Sequence, residues 1–323
     1  MTKAIQVHQS GGPEVLRWDN VEVGNPGPGQ VRLRQTAVGL NFIDVYHRTG
    51  LYPQPAPFIP GVEGAGVIEK IGTGVDWLKI GDRVAYAGPI GAYAEGRLID
   101  ADRLVKLPDR ISEEQAAAMM LQGMTAQMLL RQVYPVREGD AILVHAAAGG
   151  VGLIMCQWAA ALGATVIGTV STKEKAELAR AHGCHHPIVT TERDFVAEVD
   201  RISGGAKLPV VYDSVGRDTF MRSLDCLAPR GMMVSFGNAS GPVEPISPLL
   251  LSQKGSLFLT RPTLYHYIAT RSELEASANE LFEMISDGKV KVEINQRFPL
   301  SAAAEAHRAL EARKTTGSTV LTV

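Results

Sequence analysis

The chain has 323 residues, 45% hydrophobic and 20% charged, more than one hydrophobic core usually holds, which points to about two domains. Lys and Arg total 32 against 34 Asp and Glu, so the net charge of −2 offers no general attraction to a polyphosphate or an anionic bilayer and argues against nucleic acid as a main partner. Cys156, Cys184 and Cys226 are too few and too dispersed for a disulfide framework or a Cys-x-x-Cys metal knuckle, and the N-terminus lacks the apolar core of an export signal, so a cytoplasmic location is expected.

The first hundred residues read as β. Segments 3–8, 15–23, 30–38, 62–71, 82–87 and 104–107 are short, rich in Val and Ile, and separated by Gly and Pro, the spacing of a small barrel-like or sandwich module. The cluster at 24–29 predicts a turn, and the proline-dense stretch 52–60 predicts a loop. Ser112-Glu-Glu-Gln115 has the form of a capping box, opening a helix that runs to about Arg131 and ends at Pro135.

Strands then alternate with helical lengths: 141–145, 151–161, 165–169, 173–182, 188–190, 195–203, 210–212, 219–227 and 232–236. That alternation predicts an α/β fold, a doubly wound parallel sheet with covering helices. Between Ala141 and Thr172 no Asp, Glu, Lys or Arg occurs, a run long enough on paper to span a bilayer, but its internal glycines divide it into strand, turn, helix and strand. Beyond Pro262, Thr270-Arg-Ser-Glu273 forms a second capping box for a helix to about Ser286; a strand at 290–298, a helix at 301–313 and a strand at 319–323 follow.

His145-Ala-Ala-Ala-Gly-Gly-Val-Gly152 lies between an apolar strand and an apolar helix, the context a dinucleotide fingerprint requires. Residues without side chains at 149, 150 and 152 let a diphosphate approach the backbone at a helix N-terminus; Ala147 stands where the first glycine of the usual pattern belongs. The second strand of this region ends Ile167-Gly-Thr-Val-Ser171 with no carboxylate for a ribose 2′-hydroxyl, while Ser171, Thr172, Lys173 and Lys175 supply hydroxyls and cations. This favours a 2′-phosphate, hence NADPH, and one charge-assisted lysine contact contributes about 1.5 to 3 kcal/mol.

Together with Gly11-Gly-Pro-Glu-Val-Leu16, Gly39-Leu-Asn-Phe-Ile-Asp44, Pro60-Gly-Val-Glu-Gly-Ala-Gly66, Gly81-Asp-Arg-Val84, Val211-Tyr-Asp-Ser-Val-Gly216, Ser235-Phe-Gly-Asn238 and Gly255-Ser-Leu-Phe-Leu-Thr-Arg-Pro262, this turn resembles the medium-chain dehydrogenase/reductase superfamily, specifically zinc-free NADPH:quinone oxidoreductases of the zeta-crystallin type. The likeness covers essentially the whole chain. It implies a GroES-like catalytic domain from residues 1–122 and 262–323, a Rossmann NADPH-binding domain from 123–261, and a cofactor cleft between them. By the same resemblance, NADPH is contacted by a loop carrying Asn41, Phe42 and Tyr46, by Thr125 and Met128, and by Gly149, Gly150 and Val151. Ser171 and Lys175 take the 2′-phosphate, and Phe236, Asn238, Pro262, Leu264 and Arg313 complete the set. Thr190 replaces a tyrosine that relatives often place beside the adenosine phosphate.

Zinc dehydrogenases of the superfamily have a ligating cysteine where this chain has Asn41 and a Gly-His-Glu where it has Gly61-Val62-Glu63, so no metal is expected. Reduction of an electron-poor acceptor then suits the site, with a quinone as substrate and positioning of two flat rings as the protein's main contribution. Tyr46, Tyr52 and Asn41 are the candidate donors to the acceptor oxygen. Reduction of enones or other activated double bonds is the alternative, and a crystallin-like or RNA-binding role a third. The family resemblance also implies a homodimer joined at sheet edges, with 255–260 as the edge strand.

Overall fold

The computed structural model describes residues 1–323. In chain order, the β-rich part begins with β1 (Thr2–Val7), β2 (Leu16–Val21) and the long β3 (Gln30–Leu40), followed by helix α1 (Phe42–Thr49), β4 (Glu63–Ile71), β5 (Arg83–Ala87), β6 (Gly96–Asp100) and β7 (Val105–Lys106). Two short helices come next, α2 (Glu113–Ala117) and α3 (Met120–Gln127), the latter running into a π-turn at Met128–Val133. The alternating region then contains β8 (Ala141–Val144), α4 (Gly150–Ala161), β9 (Thr165–Val170), α5 (Lys173–Ala181), β10 (His186–Val189), α6 (Phe195–Ser203), β11 (Leu208–Asp213), α7 (Phe220–Ser223), β12 (Leu227–Ser235), α8 (Pro248–Gln253) and β13 (Phe258–Thr260). Helix α9 (Leu264–Tyr267), α10 (Arg271–Ser286), β14 (Ile294–Pro299), α11 (Ala303–Glu311) and β15 (Ser318–Thr322) complete the chain.

Two compact units emerge. One comprises Met1–Met124, Ile268–Phe282 and Val292–Val323, the other Thr125–Tyr267 and Glu283–Lys291. The first is built on a seven-stranded sheet in the order β14-β15-β3-β4-β5-β7, with β6 also on β3, and a two-stranded β1-β2 ribbon. Its pairings are antiparallel apart from β14 with β15. Leu33, Ile68, Val84, Tyr86, Tyr93 and Leu321 lie in its core. The Gly-x-Gly of β4 has a steric reason: a Cβ on Gly66 would stand 2.1 Å from the Arg34 carbonyl oxygen, where β3 and β4 shift register.

The second unit carries a six-stranded parallel sheet in the order β10-β9-β8-β11-β12-β13. This is the doubly wound arrangement expected from the alternation: the strand order reverses between β8 and β11, and such sheets open a crevice at the carboxyl ends of those strands. Leu143, Ile167, Val211, Met233, Phe195 and Phe220 form its core, each buried side chain of this size contributing about 1.5–3 kcal/mol. The uncharged run is a strand, a turn and the buried helix α4, with Trp158 and Cys156 at 1% and 0% exposure. No helix of the chain is long and apolar enough to cross a membrane.

Two local expectations change, and one strand was not anticipated. The segment with Asn41, Phe42 and Tyr46, expected as a loop, is the start of helix α1: the Asp44 carboxylate accepts the Asn41 backbone N–H at 2.9 Å, closing its first turn. The single helix expected from Ser112 to about Arg131 is broken at Ala118 and Met119, although Ser112 caps it as expected, accepting from the Gln115 N–H at 3.1 Å. Strand β6 had no reading at all; only five residues long, it pairs along β3. The Thr270–Glu273 box, by contrast, closes in both directions, with Thr270 N–H on Glu273 at 2.9 Å and Glu273 N–H on Thr270 Oγ1 at 3.3 Å.

Candidate functional site

In the second unit the candidate residues 149–151, Ser171, Lys175, Phe236 and Asn238 follow the carboxyl ends of β8, β9 and β12. After β8 the backbone turns through Ala146, held at φ 53°, and enters α4 at Gly149. No side chain caps this helix, and its first intrahelical bond runs from Leu153 N–H to the Gly149 carbonyl at 2.9 Å. The N–H groups of Gly150, Val151 and Gly152 therefore precede the ladder and are disposed to receive an anion. Gly152 is required: its Cβ would lie 2.3 Å from the Ala146 carbonyl oxygen and 2.8 Å from the Ala147 Cα. Ala147, in the place of the first glycine, is fully buried and bonds through its N–H to the Thr169 carbonyl at 3.0 Å.

Strand β9 delivers Ser171 and the α5 cap. Thr172 Oγ1 accepts from Lys175 N–H at 3.3 Å, placing Lys173 and Lys175 in the first turn of α5. The neighbouring strand end folds over the same place: Thr190 Oγ1 donates to the Val170 carbonyl at 3.1 Å and Thr191 Oγ1 to the Ser171 carbonyl at 3.2 Å. The Thr190 hydroxyl is thus committed to the backbone. Glu192 reaches Lys173 at 3.4 Å, a carboxylate that competes with a phosphate for that cation.

Beneath the turn lies a buried polar cluster the sequence did not single out. His145, 1% exposed, has Nδ1 at 2.8 Å from Thr169 Oγ1 and Nε2 at 2.9 Å from Ser223 Oγ. Asp213 accepts from Thr219 Oγ1 at 2.7 Å and Ser223 Oγ at 3.2 Å, and its other oxygen accepts the Val215 and Gly216 N–H groups. Burial holds the His145 imidazole below its ordinary pKa, partly offset by the Asp213 charge, so the ring is neutral. This cluster ties the ends of β8, β9 and β11 together. Phe236 and Asn238 follow β12, where Phe236 N–H donates to the Asp213 carbonyl at 2.8 Å and Arg261 donates to the Gly237 carbonyl at 3.2 Å. Thr125, Pro262 and Leu264 belong to this unit too, as does Met128, which is 1% exposed.

The first unit holds Asn41, Phe42, Tyr46, Tyr52 and Arg313. Three aromatic rings cluster on α1 and the turn after it: Tyr46 stands 6.3 Å from Phe42 and meets Tyr52 edge-on at 5.2 Å, while Tyr52 N–H donates to the Tyr46 carbonyl at 3.1 Å. Behind them α1 is anchored by buried polar groups that local patterning did not disclose. Arg48, 1% exposed, makes a bidentate pair with Glu311 at 2.8 and 2.9 Å and donates to His307 Nδ1 at 3.1 Å. Because Nδ1 accepts, His307 Nε2 carries the proton and donates to Tyr93 Oη at 3.1 Å; Tyr93 in turn donates to Asp44 at 3.0 Å. Arg48 is buried while Glu311 is 34% exposed, so the pair is open to solvent on its carboxylate side.

Charges in this network are strongly perturbed. Burial lowers His307 to about 3, reinforced by the Arg48 guanidinium. Burial raises Asp44 to about 7 against the opposing hydrogen bonds from Asn41 and Tyr93. Glu63 is raised to about 8, again by burial first, with the Asp44 charge adding to it. One Glu63 oxygen accepts the Leu121 N–H at 2.8 Å; the other lies 2.7 Å from the Asn41 carboxamide, whose far end is 3.1 Å from the Gln122 carboxamide. The sequence signal for Glu63 was present in the Pro60–Gly66 motif, but nothing local indicated its partners.

Residues 27–109 match the family described as Alcohol dehydrogenase GroES-like domain, and residues 150–285 match Zinc-binding dehydrogenase. The donor set here does not fit zinc. Asn41 offers an amide engaged with Glu63, Val62 an isopropyl group, and no three His, Cys, Asp or Glu side chains stand together as metal ligands. The chain is 56% identical to a quinone oxidoreductase of Pseudomonas aeruginosa and 50% to quinone oxidoreductase 1 of Escherichia coli, covering 99% of each and 99% of itself. It is 48% identical, over the same shares, to a 2-haloacrylate reductase of a Burkholderia species. The solved structure of the Escherichia coli quinone oxidoreductase complexed with NADPH superposes with a TM-score of 0.98 at 49% identity, covering 99% of this chain and 100% of that one. With a GroES-like unit, a Rossmann sheet and these relatives, the chain belongs to the quinone oxidoreductases of the medium-chain dehydrogenase/reductase superfamily.

Proposed function

We propose that this protein catalyses the reduction of a quinone by NADPH, consuming one proton in the two-electron form to give a hydroquinone and NADP⁺. The observation that carries the reading is the uncapped, glycine-lined entry to α4, whose cradle a Cβ at Gly152 would fill. The residues there fit a diphosphate: Gly149, Gly150 and Val151 present backbone, and Ser171 and Lys175 lie at the end of the next strand for the 2′-phosphate. Within this unit, Thr125, Met128, Phe236, Asn238, Pro262 and Leu264 are the further cofactor contacts we assign.

NADPH, when bound, supplies the hydride. The chain's own residues position the acceptor and hold its developing charge. A quinone spreads that charge over its ring, so a strong acid is not required and a single donor adds roughly 3 kcal/mol. Asn41, Tyr46 and Tyr52 are the donors we assign, the two tyrosines supported by their mutual contact. Replacing Tyr46 and Tyr52 with Phe, singly, lowers kcat with a quinone while NADPH affinity stays within about twofold. Unchanged turnover in both variants would remove tyrosine donation from the mechanism.

A second reading, reduction of an activated carbon–carbon double bond, is favoured by the similarity to the 2-haloacrylate reductase. Benzoquinone, naphthoquinone, phenanthrenequinone and an enone, each tested with NADPH and NADH, separate the two. Oxidation of NADPH by the quinones supports the leading reading, activity confined to the enone supports the second, and no oxidation with any acceptor overturns both. We further place the protein in the cytoplasm, where its three free thiols remain reduced. We also infer a homodimer through β13, the sheet-edge strand on which Phe258 and Leu259 are 59% and 38% exposed.

A further inference from the structure

A buried hydrogen-bonded chain runs from Glu63 through Asn41, Gln122 and Ser318 to the Ala118 carbonyl. Ser318 Oγ lies 2.8 Å from the Ala118 carbonyl oxygen and 2.7 Å from the Gln122 carboxamide. If Asn41 Nδ2 donates to Glu63 and Gln122 Nε2 donates to Asn41 Oδ1, then Gln122 Oε1 faces Ser318, and one hydroxyl proton must serve two acceptors. One oxygen pair at hydrogen-bond distance is left without a proton inside a buried site. Turning both carboxamides by half a rotation removes the conflict. Ser318 then donates to Ala118, Gln122 Nε2 donates to Ser318, and Asn41 Nδ2 donates to Gln122 Oε1. Asn41 Oδ1 now faces Glu63 Oε2 at 2.7 Å, and the only group able to supply the proton between those oxygens is the Glu63 carboxyl itself.

We infer that Glu63 is held as a neutral carboxylic acid donating to Asn41 Oδ1, and that it acts as a positioning residue for the Asn41 amide. Each donor in the chain then has one acceptor, and one N–H of Asn41 is left over to bond an acceptor oxygen. Losing the Glu63 proton reverses the chain: the spare N–H moves to the other end of the carboxamide, and Ala118 loses its donor. Burial disfavours the charged form here. The Leu121 and Met120 N–H groups at the start of α3 favour the charge, but burial outweighs them, and no cation faces Glu63. Helix α1 contributes the Asn41 amide and the Asp44 carboxyl, β5 contributes Tyr86, and the segment before β6 contributes Tyr93. The cations near this network are engaged elsewhere, Arg97 on the Tyr86 hydroxyl at 3.3 Å and Arg48 on Glu311.

The functional part of this inference rests on Asn41 serving the acceptor; the protonation state does not. Neutron diffraction from deuterated wild-type crystals near neutral pH reads the state directly. A deuteron on Glu63 Oε2, with Asn41 Oδ1 facing it, is expected; a bare carboxylate facing Asn41 Nδ2 would overturn the inference, whatever the protein reduces. Glu63→Gln gives the kinetic test, because Gln reproduces the neutral acid: Oε1 accepts the Leu121 N–H and Nε2 donates to Asn41. Wild-type kcat with a quinone is expected to fall through pH 8, up to about tenfold per pH step once ionisation dominates, with KM for NADPH unchanged. In Glu63→Gln that fall disappears. A fall of equal size and midpoint in the variant refutes the positioning role. Absence of any quinone turnover instead refutes the proposed function and leaves the neutron result standing.

Discussion

Gly152→Ala is the sharpest single test of the phosphate cradle. An alanine Cβ would lie 2.3 Å from the Ala146 carbonyl oxygen and 2.8 Å from both the Cα and the carbonyl carbon of Ala147. Ordinary non-bonded contacts begin near ~3.5 Å, so the turn and helix must separate by about 1 Å. The turn has nowhere to retreat. Ala147 N–H is bonded to Thr169, a Cβ on Gly168 would meet the Ala147 methyl at 2.6 Å, and Ala146 already occupies the left-handed region. Overpacking of this kind costs roughly 1–3 kcal/mol of stability. Displacing the N–H groups by the same distance forfeits at least one charge-assisted hydrogen bond to the diphosphate, about 1.5–3 kcal/mol, or roughly ten- to a hundredfold in Kd. For the stability cost alone, Gly149→Ala is the matched control: at φ −80° its Cβ meets only the Ala146 carbonyl oxygen, at 3.3 Å, and a shift of a few tenths of an ångström accommodates it. Nucleotide fluorescence titration gives Kd, and thermal unfolding of the same samples reports the stability change. Folded Gly152→Ala binding NADPH as tightly as wild type would refute the cradle.

Lys175→Ala is expected to weaken NADPH roughly tenfold while leaving NADH within about twofold, the contrast expected of a cation on the 2′-phosphate; equal loss for both coenzymes would move the phosphate elsewhere. Asp44 makes stability depend on pH. Its carboxyl titrates from 3.8 in the unfolded chain to about 7 in the fold, so the folded state binds the extra proton between those values. Its contribution is complete below 3.8 and lost as pH rises through about 7, on the order of 4 kcal/mol over that window. Urea unfolding of wild type and Asp44→Asn at several pH values should show wild type losing stability relative to the variant across the window; a constant difference would mean that Asp44 is ionised throughout.

The second unit was the more legible. Parallel strands, crossover helices and the glycine turn each occupy contiguous sequence, so periodicity and composition found them, along with the Ser112 and Thr270 caps. Segment 42–49 escaped because one short helix between a strand and a proline-rich loop shows little periodicity; its only local sign was an acid three residues after Asn41. The helix after Ser112 was drawn too long because alanine and methionine favour helix everywhere, and the break at Ala118 and Met119 has no Gly or Pro to announce it.

Sequence alone determined the strand–helix alternation of the second unit, the glycine turn and the absence of soft metal ligands at Asn41 and Val62, because each depends on residues that are neighbours along the chain. Only the tertiary structure decided which polar groups share a buried environment. Arg48 meets His307 across 259 positions, and Gln122 meets Ser318 across 196. A carboxyl's protonation depends on the solvent it has lost and the partners it has gained, and for Glu63 both are supplied by strands and helices far apart in the chain.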